Sequence, residues 1–136
     1  MSAAETFFDT SVLLYLLSND TQKADRVETL LAEQGTISVQ VLNEFAAVAI
    51  RKLKMPMAEV REILDTVRAV CDVEPLTIET HDRALAIVER YGFSLHDSLP
   101  IAAALLTGRK RLYCEDLQHG QIIERELRVV NPFVAR

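Results

Sequence analysis

The chain has 136 residues, of which 49% are hydrophobic, and it carries a formal net charge of -5. A chain of this size and composition can bury one sizeable core, so we expect a single compact domain over residues 1–136. The negative charge argues against a protein that coats nucleic acid through bulk positive charge, but it leaves room for a nuclease, because carboxylates that bind divalent cations count as negative charge.

Short apolar runs rich in strand-forming residues alternate with longer segments of helical periodicity. The predicted strands cover residues 6–8, 36–39, 73–76, 112–113 and 127–130, and the predicted helices cover residues 25–33, 40–54, 56–70, 79–91 and 94–107. Another helix should follow Asp9. Gly35, Gly92 and Gly108 stand where helices should stop, and Pro56 stands where one should start. This alternation predicts an α/β fold, a three-layer α/β/α sandwich around a mainly parallel sheet of about five strands.

The predicted sheet makes the positions of its acids informative. In a parallel sheet, ligands bind beyond the carboxyl ends of the strands, where the strand order reverses. Asp9 and Asp116 directly follow predicted strands. Glu44 lies about one turn into the helix after the second strand, and Asp97 lies near the start of a helix that descends to the next strand. We therefore expect four carboxylates from four segments to converge at one edge: Asp9, Glu44, Asp97 and Asp116.

Each acid also has a purely structural explanation. Asp9 could cap the helix after it, Asp97 completes a capping-box pattern with Ser94, and Asp116 could be a turn residue. Glu44 lies at the edge of the apolar arc of its helix, where an interhelical ion pair is the alternative to an active-site role. None of these structural roles explains why all four acids are expected at the same edge of the sheet. Gathered carboxylates need a cation, and oxygen ligands suit Mg²⁺ or Mn²⁺, which can activate water for attack on phosphorus.

Membrane proteins and disulfide-rich proteins are not indicated. The longest apolar runs are far shorter than the roughly 20 residues of a membrane span, and no basic and apolar leader precedes Thr6. We therefore expect no membrane segment, no secretory signal and a cytoplasmic location. Cys71 and Cys114 lack the spacing of a disulfide framework or a zinc site, so we expect both to be small core residues.

Four segments, in this order, resemble the PIN-domain ribonucleases, especially the VapC-like toxins of type II toxin-antitoxin systems: FFDTSVLLYLL, VLNEFAAVA, LHDSLPIAAAL and LYCEDLQHGQ. The resemblance implies a PIN-like fold and a Mg²⁺- or Mn²⁺-dependent endoribonuclease that acts as a toxin. Its catalytic, metal-binding acids correspond to Asp9, Glu44, Asp97 and Asp116, and Ser11 matches a small polar position that assists the first acid. The resemblance also implies a homodimer, an RNA substrate and a cognate antitoxin that pushes a segment, often with a basic side chain, into the acidic site.

Two residues depart from the pattern of these toxins. Cys114 stands where such proteins commonly carry serine or threonine, so a weaker donor replaces a hydroxyl behind Asp116. Pro100 falls inside the last predicted helix, where it lacks an N–H and clashes with the carbonyl four residues earlier. We therefore expect this helix to begin nearer Asp97 than Ser94, with a shifted or kinked start.

Other polar residues near these segments have structural interpretations. The basic runs at 51–54 and 109–111 could contact RNA, but they lie at or beyond helix C-termini and at the sheet edge opposite the acids, where cations complement the helix dipole. His96 and His119 should have hydrogen-bonding or surface roles, because a metal-bound water needs no histidine base. Glu115 should be solvated.

Two alternative functions fit part of the pattern. One is a PIN-like binding or regulatory module without nuclease activity, or a phospho-receiver. A receiver normally needs an acid pair ahead of its phosphorylated aspartate, and the first strand offers only Asp9. The other is a phosphatase that forms an aspartyl-phosphate on Asp9, but such enzymes usually carry another aspartate two residues on, where this chain has Ser11. The inactive PIN-like module is the stronger alternative.

Overall fold

The computed structural model describes residues 5–134. The helices are α1 (Thr10–Leu13), α2 (Thr21–Ala32), α3 (Val39–Arg51), α4 (Met57–Val70), α5 (Ile78–Tyr91) and α6 (Leu95–Leu106), with a 3-10 helix, Leu14–Leu17, after α1. The strands are β1 (Thr6–Phe8), β2 (Gly35–Ser38), β3 (Cys71–Glu74), β4 (Arg111–Tyr113), β5 (Ile122–Ile123) and β6 (Leu127–Val130). They form one six-stranded sheet in the order β3-β2-β1-β4-β6-β5. All neighbouring strands are parallel except β5 and β6.

The strand order determines which helices cover each face of the sheet. From β1 the chain moves in one direction to β2 and β3, and it then returns past β1 to β4. Because parallel crossovers are right-handed, α1 to α4 cover one face and α5 and α6 cover the other. In agreement, α3 packs against α1 and α4, whereas α6 packs against α5 and three central strands. The predicted α/β/α sandwich with a mainly parallel sheet is confirmed.

The core lies between the sheet and its two helical layers. Phe7 and Phe8 of β1 project to opposite faces and are both fully buried, as expected for a central parallel strand. In α3, Val41, Phe45 and Ala49 repeat every four residues and form the buried face of the helix. Cys71 and Cys114 are also buried, as predicted. Burial raises the pKa of the Cys71 thiol to about 11.

The outer strands differ most from the prediction. β3 covers Cys71–Glu74 instead of residues 73–76, because the strand follows α4 without a turn and Pro75, which has no N–H, ends its ladder. β5 was not predicted, since two residues carry no periodic pattern. α2 begins at Thr21, four residues before the predicted helix, with Asp20 as its N-cap. Within residues 5–134, no helix is both long and apolar enough to cross a membrane.

The prediction that Gly35 ends a helix is wrong. The chain leaves α2 through Gln34, whose φ is 68°, and Gly35 is already the first residue of β2. A Cβ atom on Gly35 would lie 2.5 Å from Cε2 of the buried Phe8 ring. Close packing against β1 therefore requires glycine here, whereas Gly92 does end α5 in the left-handed conformation.

The predicted shift in the start of α6 is wrong. α6 begins at Leu95, directly after its N-cap Ser94. The Ser94 hydroxyl accepts a hydrogen bond from the Asp97 N–H at 3.0 Å, and the Ser94 carbonyl accepts one from the Ser98 N–H at 3.0 Å. Pro100 is buried inside the helix and removes only one backbone donor. The capped first turn thus keeps its place, and the helix continues past the proline.

Candidate active site

Asp9 and Asp116 follow the two adjacent strands between which the strand order reverses. β1 leads to β2 on one side, and β4 lies on the other side of β1. Asp9 directly follows β1, and Asp116 lies three residues after the end of β4. The Asp9 N–H donates to the Tyr113 carbonyl at 2.9 Å and thereby ties the two strand ends together. Ligands of parallel α/β sheets bind at such a switch point.

Three donors orient the Asp9 carboxylate. Oδ2 accepts hydrogen bonds from the Ser11 hydroxyl at 2.6 Å, from the Ser11 N–H at 3.3 Å and from the Cys114 thiol at 3.4 Å. Asp9 is also the N-cap of α1, so the capping role expected from the sequence is present. Capping and a place in the cleft are compatible, because the bonds that cap the helix also fix the direction of the carboxylate.

Ser11 connects Asp9 to the segment that follows β4. Its hydroxyl donates to Asp9 and accepts a hydrogen bond from the Glu115 N–H at 3.2 Å. The side chain of Ser11 therefore lies where a residue that assists the first acid should lie. It also contacts Glu115, which directly precedes Asp116 in the chain.

The Cys114 thiol contacts Asp9 rather than the carboxylate of Asp116. Phe8 pairs with Tyr113 in the sheet, so the next residues, Asp9 and Cys114, are also adjacent. Burial and the nearby Asp9 charge raise the pKa of Cys114 to about 12, so the thiol is a neutral donor to that carboxylate. The nearby backbone groups of Leu117 and Asp116 lower this pKa in part.

Glu44, on α3, contacts side chains of two other helices, α1 and α6. Oε1 accepts a hydrogen bond from the Thr10 hydroxyl at 3.0 Å, and Oε2 lies 3.1 Å from Nδ1 of His96 on α6. The interhelical pair considered from the sequence is therefore present, and His96 has the expected hydrogen-bonding role. His119 likewise accepts the Asn131 N–H through Nδ1, at 3.0 Å.

Asp116 is largely exposed, but the charges of the neighbouring acids affect its pKa. Partial desolvation raises the pKa of its carboxyl, and the negative charges of Asp9, Asp97 and Glu115 raise it further. The nearby His96 lowers this pKa. Asp116 therefore lies in an excess of negative charge, which a bound cation would relieve.

One cleft of about 440 Å³ contains three of the four predicted acids, Asp9, Glu44 and Asp116, together with His96. Asp97 is half-buried in the first turn of α6 and is not among the lining side chains. Within residues 5–134, no three Asp, Glu, His or Cys side chains stand close enough to hold one ion between them. Three of the four predicted acids therefore share one cleft, but they do not form a closed set of metal ligands. The oxygen donors of the cleft and their mutual repulsion fit a hard divalent cation.

The basic runs lie away from this cleft. Arg111, the first residue of β4, donates to the Thr6 hydroxyl at 3.1 and 2.8 Å, at the edge where the parallel strands begin. Arg109 pairs with Glu74 at 3.7 Å. Among the described residues, none of those at 51–54 or 109–111 lines the cleft. The structural interpretation of these runs is therefore supported.

Sequence reasoning missed the side chains that surround the acids. Thr10 was not singled out, although it stands beside Asp9 in the same motif. Glu115 was expected to be solvated, and this is wrong, because Tyr15 and Lys23 bind its carboxylate at 2.7 and 3.1 Å. No local pattern could have indicated these contacts, which join residues 92 and 100 positions apart in the chain.

The sequence model of the PIN domain family matches residues 6–122. The chain belongs to the PIN domain family. All four segments that carry the resemblance to PIN-domain ribonucleases lie inside the matched range, so the resemblance is confirmed at the level of this family. No curated protein matches the chain by sequence.

Two solved structures share the PIN fold of this chain. One is a chain of a toxin-antitoxin complex from Klebsiella pneumoniae, with a TM-score of 0.70 at 19% identity, covering 94% of this chain and 98% of that one. The other is VapC20 of Mycobacterium tuberculosis, a toxin that cleaves the sarcin-ricin loop. It aligns with a TM-score of 0.65 at 21% identity and covers 82% of this chain and 89% of its own. At these identities, the similarity concerns the fold.

Proposed function

We propose that this PIN domain is a Mg²⁺- or Mn²⁺-dependent endoribonuclease that hydrolyses RNA phosphodiester bonds as the toxin of a toxin-antitoxin pair. The observation that carries the proposal is the position of Asp9 and Asp116 at the switch point of the sheet, in one cleft with Glu44. The two structural neighbours, one from a toxin-antitoxin complex and one a toxin that cleaves the sarcin-ricin loop, support it.

The proposed metal ligands and catalytic acids are Asp9, Glu44, Asp97 and Asp116. When bound, a divalent cation lowers the pKa of a coordinated water and neutralises charge on the leaving oxygen. The surrounding residues orient the acids: Ser11 and Cys114 hold Asp9, while Thr10 and His96 hold Glu44. Asp97 lies near enough to Asp116 for its negative charge to raise the pKa of that carboxyl.

The proposed partners are those that the resemblance to the VapC-like toxins implies. An acidic cleft attracts a basic side chain, so we propose that a cognate antitoxin inhibits the enzyme by inserting one there. We further propose that the toxin is a homodimer, that residues 1–136 act as one domain and that the protein works in the cytoplasm.

The alternative is a PIN-like module that binds its partner without cleaving RNA. One observation favours it: in residues 5–134 the acids do not form a closed set of three ligands. A module of this kind would bind Mn²⁺ weakly or bind it without cleaving RNA. The nuclease requires both binding and cleavage.

Purified Asp9→Asn and Asp116→Asn variants test the proposal. Each change keeps the size of the side chain and removes one negative charge from the cleft, so Mg²⁺- or Mn²⁺-dependent RNA cleavage should be abolished while the fold persists. Asp82→Asn makes the same change at an exposed position on α5 and should keep full activity. Full activity in both cleft variants would refute the proposal, and a wild type that binds Mn²⁺ without cleaving RNA would establish the alternative.

A second experiment tests the toxin assignment in cells. Induced expression of the wild type should arrest growth, and co-expression of the antitoxin from a neighbouring gene should relieve the arrest. Asp9→Asn should express at the same level without arrest. Growth arrest by this variant would show that toxicity does not depend on the cleft.

A further inference from the structure

The carboxylate of Glu115 is held by two side chains, one from the 3-10 helix and one from α2. The Tyr15 hydroxyl, on the 3-10 helix, donates to Oε1 at 2.7 Å. Nζ of Lys23, in the first turn of α2, lies 3.1 Å from Oε2 and donates to the Tyr15 oxygen at 3.2 Å. The three groups form a closed triangle, which we call the Tyr15–Lys23–Glu115 cluster.

Aromatic packing makes this cluster more rigid than an ordinary surface ion pair. Nζ of Lys23 lies 4.6 Å from the Tyr15 ring centroid and 5.0 Å from that of Phe133. The two rings meet edge to face, with centroids 4.8 Å apart. The Lys23 and Glu115 side chains are only 33% and 29% exposed. Such cation–π and edge-to-face contacts restrict the side chains that a solvated pair would leave free.

The backbone of Glu115 is part of the acidic site. Its N–H donates to the Ser11 hydroxyl at 3.2 Å, and this hydroxyl donates to Oδ2 of Asp9 at 2.6 Å. The next residue along the chain is Asp116. Fixing the side chain of Glu115 therefore fixes the segment that carries Asp116 and, through Ser11, the direction of Asp9.

We propose that Tyr15 and Lys23 are positioning residues of the acidic site, which act through Glu115 and set its affinity for a divalent cation. The inference rests on the proposed nuclease function, because it assumes that the acids bind metal. Loss of a residue that hydrogen-bonds to a metal ligand typically lowers metal affinity by about ten- to a hundred-fold. Tyr15 and Lys23 lie one residue further out, so we expect an effect at the lower end of this range.

The chain offers a matched control at the other edge of the sheet. The Tyr91 hydroxyl donates to Oε2 of Glu124 at 3.1 Å and accepts the Glu124 N–H at 2.9 Å, and Arg90 pairs with the same carboxylate at 2.7 Å. This second tyrosine–glutamate–cation cluster lies in the turn before β6, at the edge where the parallel strands begin. It combines the same types of side chain away from the acidic cleft, although its tyrosine also accepts the N–H of the glutamate.

The first measurement requires no metal. Amide hydrogen exchange, followed by NMR on the full chain, should accelerate at Glu115 in Tyr15→Phe, because the segment is no longer held. Tyr91→Phe should accelerate exchange at Glu124 and leave Glu115 unchanged. Exchange at Glu115 that equals the wild-type rate in Tyr15→Phe would overturn the proposal.

The second measurement is Mn²⁺ binding without RNA, by electron paramagnetic resonance of the free ion. Tyr15→Phe and Lys23→Met should weaken binding by about tenfold, Lys23→Arg should retain most of it, and Tyr91→Phe should match the wild type. Wild-type affinity in Tyr15→Phe, with a loss of stability equal to that of Tyr91→Phe, would show a merely structural cluster. If the wild type binds no Mn²⁺, the proposed function fails, and the exchange experiment alone decides whether the cluster positions the segment.

Discussion

The hydroxyl oxygen of Ser11 lies 2.6 Å from Oδ2 of Asp9 and accepts the Glu115 N–H at 3.2 Å. One small side chain therefore joins the ends of β1 and β4. A hydrogen bond to a charged group contributes about 1.5–3 kcal/mol, and a buried N–H without a partner costs about 1–3 kcal/mol. Removing this hydroxyl takes away the hydrogen bond to Asp9 and leaves the Glu115 N–H without its acceptor.

Ser11→Ala should therefore lower RNA cleavage by roughly tenfold or more and leave the protein folded but less stable. Cleavage rates at saturating Mn²⁺ and urea unfolding would measure the two effects separately. Thr66→Ala removes a hydroxyl from the exposed face of α4, where it bonds a backbone carbonyl, and should change neither strongly. Wild-type cleavage by Ser11→Ala would contradict the role given to this hydroxyl.

A second pair of substitutions concerns the donor to Glu44. Thr10 is only 6% exposed, and its hydroxyl lies 3.0 Å from Oε1 of Glu44. Thr10→Val keeps the shape and removes the donor, so Glu44 should lose its orientation and Mn²⁺ affinity should fall by roughly tenfold. Thr10→Ser keeps the hydroxyl and should retain affinity. Equal Mn²⁺ affinities of the two variants, measured by calorimetry, would contradict the role given to the Thr10 hydroxyl.

The sequence predicted the elements and the common edge because both depend on local patterns. Asp9 and Asp116 follow buried strands, and the edge at which they lie is a property of any parallel sheet. The side-chain direction of Asp97 depends on how α6 is rotated against its neighbours, which no periodicity specifies. Its place outside the cleft lining could therefore not be predicted.

The contacts of Cys114 and Glu115 show why the side-chain contacts around the acids could not be predicted from the sequence. The resemblance to the toxins placed the donor at Cys114 behind Asp116, but the pairing of β1 with β4 puts the thiol beside Asp9. Glu115 binds Tyr15 and Lys23 only because the fold brings the 3-10 helix and α2 beside the segment that follows β4. Such contacts depend on register and packing, which form only in the complete fold.

The Tyr15–Lys23–Glu115 cluster also predicts a pH dependence. The hydrogen bond to Glu115, together with burial, raises the pKa of the Tyr15 phenol above its usual value of 10.0. Above that pH an unfolded chain loses the proton that the folded chain keeps, so the free energy of unfolding falls as pH rises. The stabilisation is complete below the usual pKa and is lost as pH rises through the raised one.

Urea unfolding at several pH values between about 8 and 11 would measure this loss. The wild type should lose stability more steeply above about pH 10 than Tyr15→Phe, which lacks the phenol. The pKa of Lys23 is also raised by its bonds to Tyr15 and Glu115, and its contribution has the same sign. Parallel pH profiles for the two proteins would contradict the raised pKa of Tyr15.

Gln34 and Gly35 predict opposite effects at neighbouring positions. A Cβ on Gly35 would lie 2.5 Å from Cε2 of Phe8, whose ring is fully buried and cannot move aside. Gly35→Ala should therefore destabilise the protein by about 1–3 kcal/mol through overpacking. Gln34 has a φ of 68°, where a side chain costs about 1–2 kcal/mol, so Gln34→Gly should stabilise by up to about 1 kcal/mol after the entropy of glycine is subtracted. Urea unfolding of both variants checks the signs, and a stable Gly35→Ala would mean that β1 and β2 separate more readily than their packing indicates.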